Sequence, residues 1–463
     1  MSIIVGGFHS PRQKEILDAI FAHPCADRGY LIMQDTSYSP SYPGIQVLYV
    51  SDLNRCIYPE IETKAFNEEF LNYIHENFYV LMSMMNRLDS FSKRPNISAE
   101  EKRAQIYKHF SFWYTVVSDD IPEAFIVSNV PHDICDYILF LTLKFFGKTK
   151  FLYFYQTNFG DIIIPYSSTD FSSDELGEVF QTTTDSTLGK LGQIEWDKEI
   201  NKVQPFYMTM KINTGHTWQY RLKNVLLGKR NIFEILVNKK NALLYNRATK
   251  RLKKEYKKLC CVPDFSKNYI YYPMHYQPEL TSCPLGGHYT DQWLIIKMLD
   301  SLLPEGYYLY VKEHPKQEAA GRYKDYYQDI VKHTKRTVLV DTSVASSKLT
   351  ESCKAVVTIT GTAGWEALFQ LKPVLLFGRN FYEYANGVFP IRNEKDCEEA
   401  IDKIVSGQVE LTLEDIQRFV AASENFGIHG FIDPAYECVS ALTMEESNKN
   451  LIAYITDWMK SNA

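Results

Sequence analysis

The sequence predicts an α/β protein whose two units follow one another along the chain. Both halves alternate short apolar runs with helical patterns, and many of the apolar runs end in an acidic residue, as strands buried on both faces do. A chain of 463 residues also exceeds the size of one ordinary core. Two sheets in series imply a cleft between them, with ligands beyond the carboxyl ends of the strands.

The first half carries the alternation of strand, helix and strand that predicts a parallel sheet. A helical stretch is expected at about residues 61–88, and a second helix ends at Gly147. The last predicted strand of this half ends near Gln156. The predicted strands, written with their following loops, are SIIVGG, YLIMQD, IQVLYVSD, EAFIVSNVPHD and KFLYFYQTNFGD.

Between residues 167 and 260 the pattern changes to polar turns and then to basic helical segments, which predicts an elaboration of the first unit. Residues 201–260 hold 15 Lys or Arg and only two acids, Glu234 and Glu255, whereas the whole chain has a net charge of −6. Such a stretch fits a solvated helix face, an anionic membrane surface or an anionic polymer. No nucleic-acid-binding signature accompanies it, so we expect no nucleic acid partner.

The second half repeats the alternation from residue 267 onward. An amphipathic helix that contains Trp293 and Ile296 ends at Gly306, and a short helix is expected near residues 346–353. Three loops that follow predicted strands are expected to share one rim of the sheet. These loops read HYQPELTSCPLGGHYTDQ, VKEHPKQ and TITGTAGWEALFQ.

The third of these loops has the character of a phosphate-binding turn. Gly361, Thr362 and Gly364 combine a close backbone approach with a hydroxyl at the point where a helix begins. Glu366 falls in the first helical turn, where a carboxylate suits a ribose diol. An ordinary strand-to-helix turn, with Glu366 complementing the helix dipole, explains the same residues. The loop is neither a Walker A motif nor a GxGxxG motif.

The VKEHP loop admits a similar pair of explanations. Pro315 ends a strand, and Lys312 and His314 are either solvated or placed at an anionic ligand. An imidazole can donate a hydrogen bond to a phosphate oxygen, and a lysine adds positive charge. Taken together, we interpret the three loops as one site for a nucleotide mono- or diphosphate. No Asp-x-Asp element ends a strand of the first unit, so a bridging metal is not indicated.

Cysteine usage and hydropathy predict the compartment. The nine cysteines form no CxxC pair, which favours a reducing cytosol. The amino terminus has neither a basic region nor a long apolar region, and no run of about 18 apolar residues occurs. We therefore expect a cytoplasmic protein that is attached to a membrane only at its surface, if at all.

Three of these motifs together resemble a known family. YYPMHYQPELTSCPLGG, LYVKEHP and TGTAGWEALFQLKPVLLFG are similar to the capsule polysaccharide biosynthesis family of bacterial glycosyltransferases, which includes Kdo transferases. At longer range they are similar to sialyltransferases that carry a His-Pro motif. The resemblance covers about residues 269–378, and SNVPHDICDYILF adds a weaker match. It implies a GT-B fold, in which two Rossmann-like domains face a cleft and a carboxyl-terminal helix, here NLIAYITDWMKS, crosses back.

The resemblance also implies domain limits and nucleotide contacts. Residues 1–262 would form the acceptor-side domain with its basic elaboration, 263–430 the nucleotide-sugar domain, and 431–463 the helices that pack back. His314 would contact the donor phosphate, and Glu366 would contact the ribose. The full set of implied nucleotide contacts is Lys312, Glu313, His314, Thr360, Gly361, Thr362, Gly364 and Glu366.

For the sugar and the acceptor, the resemblance implies a second set of residues. A loop at the cleft contributes Gln277 and Glu279, together with Gly286 and Gly287. Arg379, or alternatively Lys372, would supply a cation to a carboxylated sugar. Catalysis would rest on His314 and on a general base, which is either His132 or Asp133.

The implied reaction is a direct displacement that needs no metal and no cofactor besides the nucleotide sugar. The base takes a proton from an acceptor hydroxyl, which attacks the anomeric carbon while the nucleotide leaves. The implied donor is a CMP-activated acidic sugar, such as Kdo or a sialic-acid-like sugar. The acceptor would be a surface polysaccharide or its lipid-linked precursor, with membrane contact through residues 201–260. Two alternatives stay open, a nucleotide-sugar epimerase of the same architecture and a non-catalytic nucleotide- or glycan-binding protein.

Overall fold

The computed structural model describes residues 2–24, 26–34, 40–92, 98–157, 161–201, 232–277, 279–319 and 321–462. Within them the chain forms two sheets flanked by helices. The predicted α/β class with two sheets in series is confirmed. Residues 202–231, which make up half of the predicted basic stretch, lie outside the described residues.

The first sheet is built mainly by the first half of the chain. Its central five strands pair in parallel in the order β3-β2-β1-β4-β5, which is the order of a doubly wound α/β sheet. An unpredicted strand, β6, extends this sheet by antiparallel pairing with β5. The strands are β1 (Ser2–Gly6), β2 (Arg28–Met33), β3 (Ile45–Tyr49), β4 (Ala124–Val127), β5 (Lys150–Gln156) and β6 (Ile162–Tyr166).

Helices of the first half confirm one expected boundary and correct another. Gly147 closes α6 in a left-handed conformation with φ of 67°, as expected for a helix stop. The helical stretch expected at 61–88 instead begins at Glu68, because the Asn67 side chain accepts the Phe70 N–H at 2.8 Å and caps a helix there. The helices are α1 (Lys14–Phe21), α2 (Val50–Leu53), α3 (Glu68–Glu76), α4 (Phe78–Ser92), α5 (Ala99–Asp119), α6 (Ile134–Phe146), α7 (Asp174–Thr182), α8 (Lys190–Ile200) and α9 (Ile232–Leu259).

The second sheet has six strands, all parallel, in the order β9-β8-β7-β10-β11-β12. This is again the doubly wound order. The strands are β7 (Asn268–Pro273), β8 (Tyr307–Lys312), β9 (Thr337–Leu339), β10 (Ala355–Thr358), β11 (Val374–Leu376) and β12 (Val388–Pro390). The helices that accompany them are α10 (Gln292–Leu302), α11 (Tyr326–His333), α12 (Ser346–Ser352), α13 (Thr362–Leu368) and α14 (Glu394–Val405).

The carboxyl-terminal segment returns to the first sheet, as the GT-B arrangement predicts. Helix α15 (Leu413–Phe426) packs on α7 and α8, and strand β13 (Ile428–His429) pairs antiparallel with β6. Helix α16 (Met444–Asn462) then packs on α1. The return therefore begins with α15 at Leu413, whereas the resemblance implied that it begins at residue 431.

Apolar packing covers both sheets and also joins them. The largest buried cluster runs from the first sheet, with Phe125, to the second, with Tyr271. One buried cluster lies between the first sheet, α1 and α16, and includes Ile16, Leu451 and Ile455. Another lies on one face of the second sheet and includes Ile296 and Ile401. None of the helices that the structure describes is long and apolar enough to cross a membrane.

Candidate functional site

The strand orders place two crevices in the molecule. In each sheet the winding direction reverses between the first and fourth strands, which are β1 and β4 in one sheet and β7 and β10 in the other. Loops that leave the carboxyl ends of such strands diverge and open a ligand site. The three loops that the sequence singled out follow β7, β8 and β10, which are adjacent strands. The shared rim predicted from the sequence is therefore present.

His275 joins two of these loops, although the sequence analysis did not assign it a role. Its Nε2 accepts the Ile359 N–H at 3.0 Å and lies 2.9 Å from the Thr358 hydroxyl. That hydroxyl in turn accepts the Gly361 N–H at 2.8 Å. Burial lowers the pKa of His275 to about 3, and the neighbouring His314 and Arg322 act in the same direction. His275 is therefore neutral and holds the turn after β10 on the loop after β7.

The turn after β10 is shaped for close packing of backbone. A Cβ on Gly364 would lie 2.7 Å from the Tyr382 Oη, and a Cβ on Gly361 would lie 2.9 Å from the His275 ring. No side chain caps the following helix, α13. The N–H groups at residues 362 and 363 thus have no partner within the helix, as in any first helical turn.

The two threonine hydroxyls of this turn donate to protein oxygens. The buried Thr360 donates to the Thr281 carbonyl at 2.6 Å, and Thr362 donates to the Glu366 carboxylate at 3.1 Å. A phosphate can only accept, so neither hydroxyl has a proton for it in this arrangement. The Thr360 hydroxyl holds two loops together, and the predicted phosphate contacts of Thr360 and Thr362 stay predictions. The side chain of Glu366 is exposed, consistent with the predicted ribose contact.

Glu313 and Lys312 have partners inside the second unit. The Glu313 carboxylate binds the fully buried Arg322 through Nε at 2.8 Å and Nη2 at 3.1 Å, and accepts the Tyr327 hydroxyl at 2.7 Å. The Lys312 ammonium donates to the Val344 carbonyl at 2.6 Å and to a serine hydroxyl at 2.9 Å. Burial lowers the pKa of Lys312. The predicted nucleotide contact of Glu313 is corrected, because its carboxylate is buried and paired with Arg322. Lys312 donates to two neutral oxygens and keeps a third donor, so its predicted contact stays a prediction.

His314 lies in the loop after β8, and its hydrogen bonds define its tautomer. Its backbone N–H donates to the Glu313 carboxylate at 2.7 Å, and its Nδ1 accepts the Lys316 N–H at 3.2 Å. A neutral ring whose Nδ1 accepts must carry its proton on Nε2. Burial lowers the pKa of His314, whereas Glu313 acts to raise it. The half-buried ring, 5.4 Å from that of Tyr276, thus presents one N–H donor.

In the loop after β7, Gln277 is a structural residue. Its Nε2 donates to the Thr290 carbonyl at 2.5 Å, its backbone N–H donates to Gln317, and its side-chain Oε1 accepts from Arg322. The predicted substrate contact of Gln277 is corrected, because its amide is occupied and buried. The side chain of Glu279 is exposed at the same loop.

The two glycines of this loop differ in their surroundings. A Cβ on Gly286 would lie 2.4 Å from the Ser282 carbonyl oxygen, so only glycine fits. Gly287 has φ of 50° and open space around it. A substrate group therefore has room beside Gly287, whereas Gly286 serves the packing of the loop.

Arg379 joins the two units of the chain. It forms an ion pair with Asp170 of the first unit at 2.5 Å and another with Glu383 at 3.2 Å. Arg392 also pairs with Glu383. The neighbouring Asn380 donates to the Thr360 carbonyl at 2.7 Å and to the Tyr155 Oη at 3.3 Å. The loop after β11 thus contacts the loops of the first sheet beside the candidate site.

On the first sheet, His132 and Asp133 lie between β4 and α6. His132 Nδ1 lies 2.7 Å from the Val130 carbonyl, so Nδ1 carries the proton and Nε2 of the neutral ring is the basic nitrogen. Asp133 occupies the N-cap position of α6, yet its side chain makes no capping hydrogen bond. Both predicted bases are therefore chemically able to accept a proton.

Two further titratable residues accompany this pair, and the sequence analysis did not assign them. Burial lowers the pKa of His9, which follows β1, while the charge of Asp133 acts to raise it. Burial raises the pKa of Asp136 to about 7, and the charge of Asp133 adds to this rise. Raised carboxylate pKa values are frequent at sites of proton transfer. The GGFHS stretch, with glycines directly after a strand, is the sequence signal that could have identified His9.

One family model matches part of the chain. Residues 281–390 match the family model described as capsule polysaccharide biosynthesis protein. The matched segment contains the His314 loop and the turn after β10, and its family model is the one that the motifs resembled. No curated protein matches the chain.

Among solved structures, the chain is similar to several proteins at low identity. The Thermosulfurimonas dismutans KpsC β-Kdo 2,7 transferase is 12% identical, with 84% of this chain and 97% of that chain covered and a TM-score of 0.32. Anabaena Alr3699/HepE in complex with UDP-glucose is 11% identical, with 99% and 100% covered and a TM-score of 0.27. The Methanocaldococcus jannaschii UDP-GlcNAc 2-epimerase is 11% identical, with 92% and 97% covered and a TM-score of 0.27. Scores this low distinguish neither a transferase from an epimerase nor one donor from another.

Proposed function

Since residues 281–390 match the capsule polysaccharide biosynthesis family, we propose that this protein is a glycosyltransferase that moves a sugar from a nucleotide donor to a glycan acceptor. The observation that carries the proposal is the state of His314. Its loop is fixed by the buried Glu313–Arg322 pair, and its neutral ring presents an Nε2–H donor at the rim of the second sheet. A donor held in that place stabilises the negative charge of a departing phosphate.

The turn after β10 supplies the remaining contacts of the nucleotide. The backbone N–H groups of residues 362 and 363 would donate to the same phosphate, since no side chain caps them. Glu366 would accept the two ribose hydroxyls, and its hydrogen bond from Thr362 orients the carboxylate. His275 acts beneath these groups as a positioning residue, because it fixes the turn without being exposed.

On the acceptor side, His132 and Asp133 are the proposed bases. One of them takes the proton of the acceptor hydroxyl as the hydroxyl attacks the anomeric carbon of the donor. The nucleotide leaves on the opposite face, next to His314. Asp136, whose pKa is raised to about 7 by burial and by the charge of Asp133, would accept that proton next. The proposed displacement uses no metal.

The identity of the donor sugar and the place of the protein in the cell are part of the same proposal. A CMP-activated acidic sugar such as Kdo would place its carboxylate near Arg379, which would then share its charge between the ligand and its two present partners, Asp170 and Glu383. The acceptor would be a surface polysaccharide or its lipid-linked precursor at the cytoplasmic face of a membrane. Contact with an anionic membrane would come from the basic stretch at 201–260, of which α9 is described.

The test of the proposal is release of nucleotide from a panel of CMP-, UDP- and GDP-sugars. We expect slow hydrolysis of one donor class in the absence of acceptor, and a thermal shift with the matching nucleotide. The His314→Ala variant should lose about 10²- to 10³-fold of the turnover, as removal of a donor to a developing anion does. His333→Ala, which changes an exposed histidine on α11, is the matched control.

Two results would contradict the proposal. Interconversion of free nucleotide sugars without transfer would identify an epimerase. Nucleotide binding with no turnover in any acceptor mixture would identify a binding protein.

A further inference from the structure

Helix α9 has an exposed stripe that is both apolar and basic. Leu243 and Leu244 are 59% and 52% exposed. Arg247, Lys250 and Lys254 follow Leu243 at intervals of four, three and four residues and are exposed as well. This spacing puts Leu243 in line with three cations on one side of the helix. Lys240 and Lys258 are exposed on the same side.

The opposite side of α9 is hydrogen-bonded to residues 313–319 after β8, which carry His314 and are called the donor loop. The Tyr256 Oη accepts the Glu313 N–H at 3.0 Å and donates to the Val340 carbonyl at 2.6 Å. The Thr249 hydroxyl accepts the Ala319 N–H at 3.1 Å. The backbone of the loop that carries His314 is thus hydrogen-bonded at both ends to one helix.

Further contacts fix the same helix to α11, which follows the loop. The Glu255 carboxylate accepts the N–H groups of Tyr327 and Gln328 at 3.1 and 3.2 Å. Arg251 pairs with Asp325 at 3.2 Å. A displacement of α9 would therefore move the donor loop and the first turn of α11 together.

We propose that α9 is a bilayer-sensing element of the donor site, whose Leu243 stripe docks on an anionic lipid surface and whose Tyr256 side transmits the contact to the His314 loop. Cations attract the headgroups, and the two leucines enter the boundary with the acyl chains. A soluble acidic polymer would use the cations but would leave Leu243 and Leu244 in water. The exposed leucines therefore favour a bilayer. The inference rests on the proposed function only in calling this loop the donor loop.

The docking half of the proposal is tested by sedimentation of the full chain with vesicles. Binding to vesicles of phosphatidylglycerol and phosphatidylcholine is expected at low salt, with weak binding to phosphatidylcholine alone. The double variant Leu243→Ser/Leu244→Ser should bind about tenfold more weakly, because it removes the apolar contact and keeps every charge. Leu294→Ser/Leu413→Ser, at sites 44% and 41% exposed, is the matched control and should bind as the unchanged chain does.

The coupling half is tested by hydrogen exchange of the backbone amides in residues 313–319. Vesicles should alter exchange there at least twofold in the unchanged chain. The double variant Tyr256→Phe/Thr249→Val removes both hydroxyls that link the helix to this loop, and it should abolish this change while vesicle binding persists. Neither measurement needs a nucleotide. Absence of donor hydrolysis would thus contradict the proposed function and leave this inference standing.

Three outcomes would overturn the inference. The first is equal binding to both kinds of vesicle. The second is that the double leucine variant binds both dextran sulfate and vesicles as tightly as the unchanged chain does. That result would show a site for polyanions. The third is docking that leaves exchange in residues 313–319 unaltered, which would separate the surface from the site.

Discussion

His275 shows how a residue that touches no substrate can determine the shape of a site. It is buried, neutral, and bonded to the backbone of the neighbouring strand's turn. The sequence indicated the loop in which it lies but not its role, because its partner, Ile359, is 84 residues away. Glu313 gives the same lesson. A charged residue at the end of a strand resembles a ligand contact in the sequence. The structure shows that the Glu313 carboxylate is instead paired with the buried Arg322.

A substitution of His275 should therefore destabilise the protein. His275→Ala leaves the Ile359 N–H buried without an acceptor, which costs about 1–3 kcal/mol. The free energy of unfolding in denaturant is the measurement, and His333→Ala is the control. A His275→Ala protein as stable as the unchanged chain would refute the structural role.

At the scale of elements, the contact between α8 and α15 concentrates buried acids. The Glu424 carboxylate accepts the Gly189 and Leu191 N–H groups at 2.8 and 3.0 Å and so caps α8 from another helix. Burial raises the pKa of Glu195 to about 8, and Asp161 and Glu424 add to this rise while Lys198 opposes it. Burial also raises the pKa of Glu199, to about 9, and nearby Glu366 adds to this rise. Local sequence could predict the helices, but this crowding arises only when distant segments meet.

The raised pKa values give a pH dependence with a definite sign. The folded state binds a proton at Glu195 more tightly than the unfolded chain does, so the contribution of Glu195 to stability is fully present below about pH 4.5 and is lost as pH rises toward about 8. Glu195→Gln, which keeps a neutral side chain at every pH, should raise the melting temperature at pH 8 by about 2–4 °C. At pH 4 it should change little.

Thermal unfolding of the two proteins across this range is the measurement. Glu410→Gln, at an exposed loop position, is the control. A Glu195→Gln protein that gains no stability at pH 8 would show that the carboxyl group is hydrated in solution.

At the scale of the whole molecule, the sequence predicted the two-sheet architecture well. Each central strand is a short apolar run with a recognisable loop, and these patterns are local. The strands β6, β12 and β13 were missed. β6 contains Pro165 and β12 contains Pro390, and proline argues against a strand. β13 has two residues, which are recognised as a strand only by their pairing with Ile162 and Ile163. The general base also stayed a choice between two residues, because its selection depends on where an acceptor binds.

The ion pair between Arg379 and Asp170 is a contact between the two units that can be tested separately. Both side chains are partly exposed, at 31% and 48%, so the pair should contribute less than about 1 kcal/mol to stability. Asp170→Asn should therefore leave the melting temperature nearly unchanged. It should nevertheless alter the radius of gyration or the nucleotide affinity, because it weakens a contact across the cleft.

Small-angle scattering and nucleotide titration are the measurements, and Asp174→Asn would serve as a comparison, since its partner Tyr384 is neutral. A large loss of stability in Asp170→Asn would mean that the pair is structural. An unchanged scattering profile and affinity would mean that it does not govern the cleft.

The return of the carboxyl terminus to the first sheet has a consequence for how the chain is made. β13 covers the open edge of β6, and α16 covers α1, so a strand and a helix of the first unit meet these partners only after the second unit has been synthesised. The second unit, in contrast, has its six strands contiguous between residues 268 and 390. During translation the second unit can thus complete its sheet first, while the first unit still exposes the open edge of β6 and the apolar face of α1. Until β13 and α16 emerge, these two surfaces favour aggregation and the binding of chaperones.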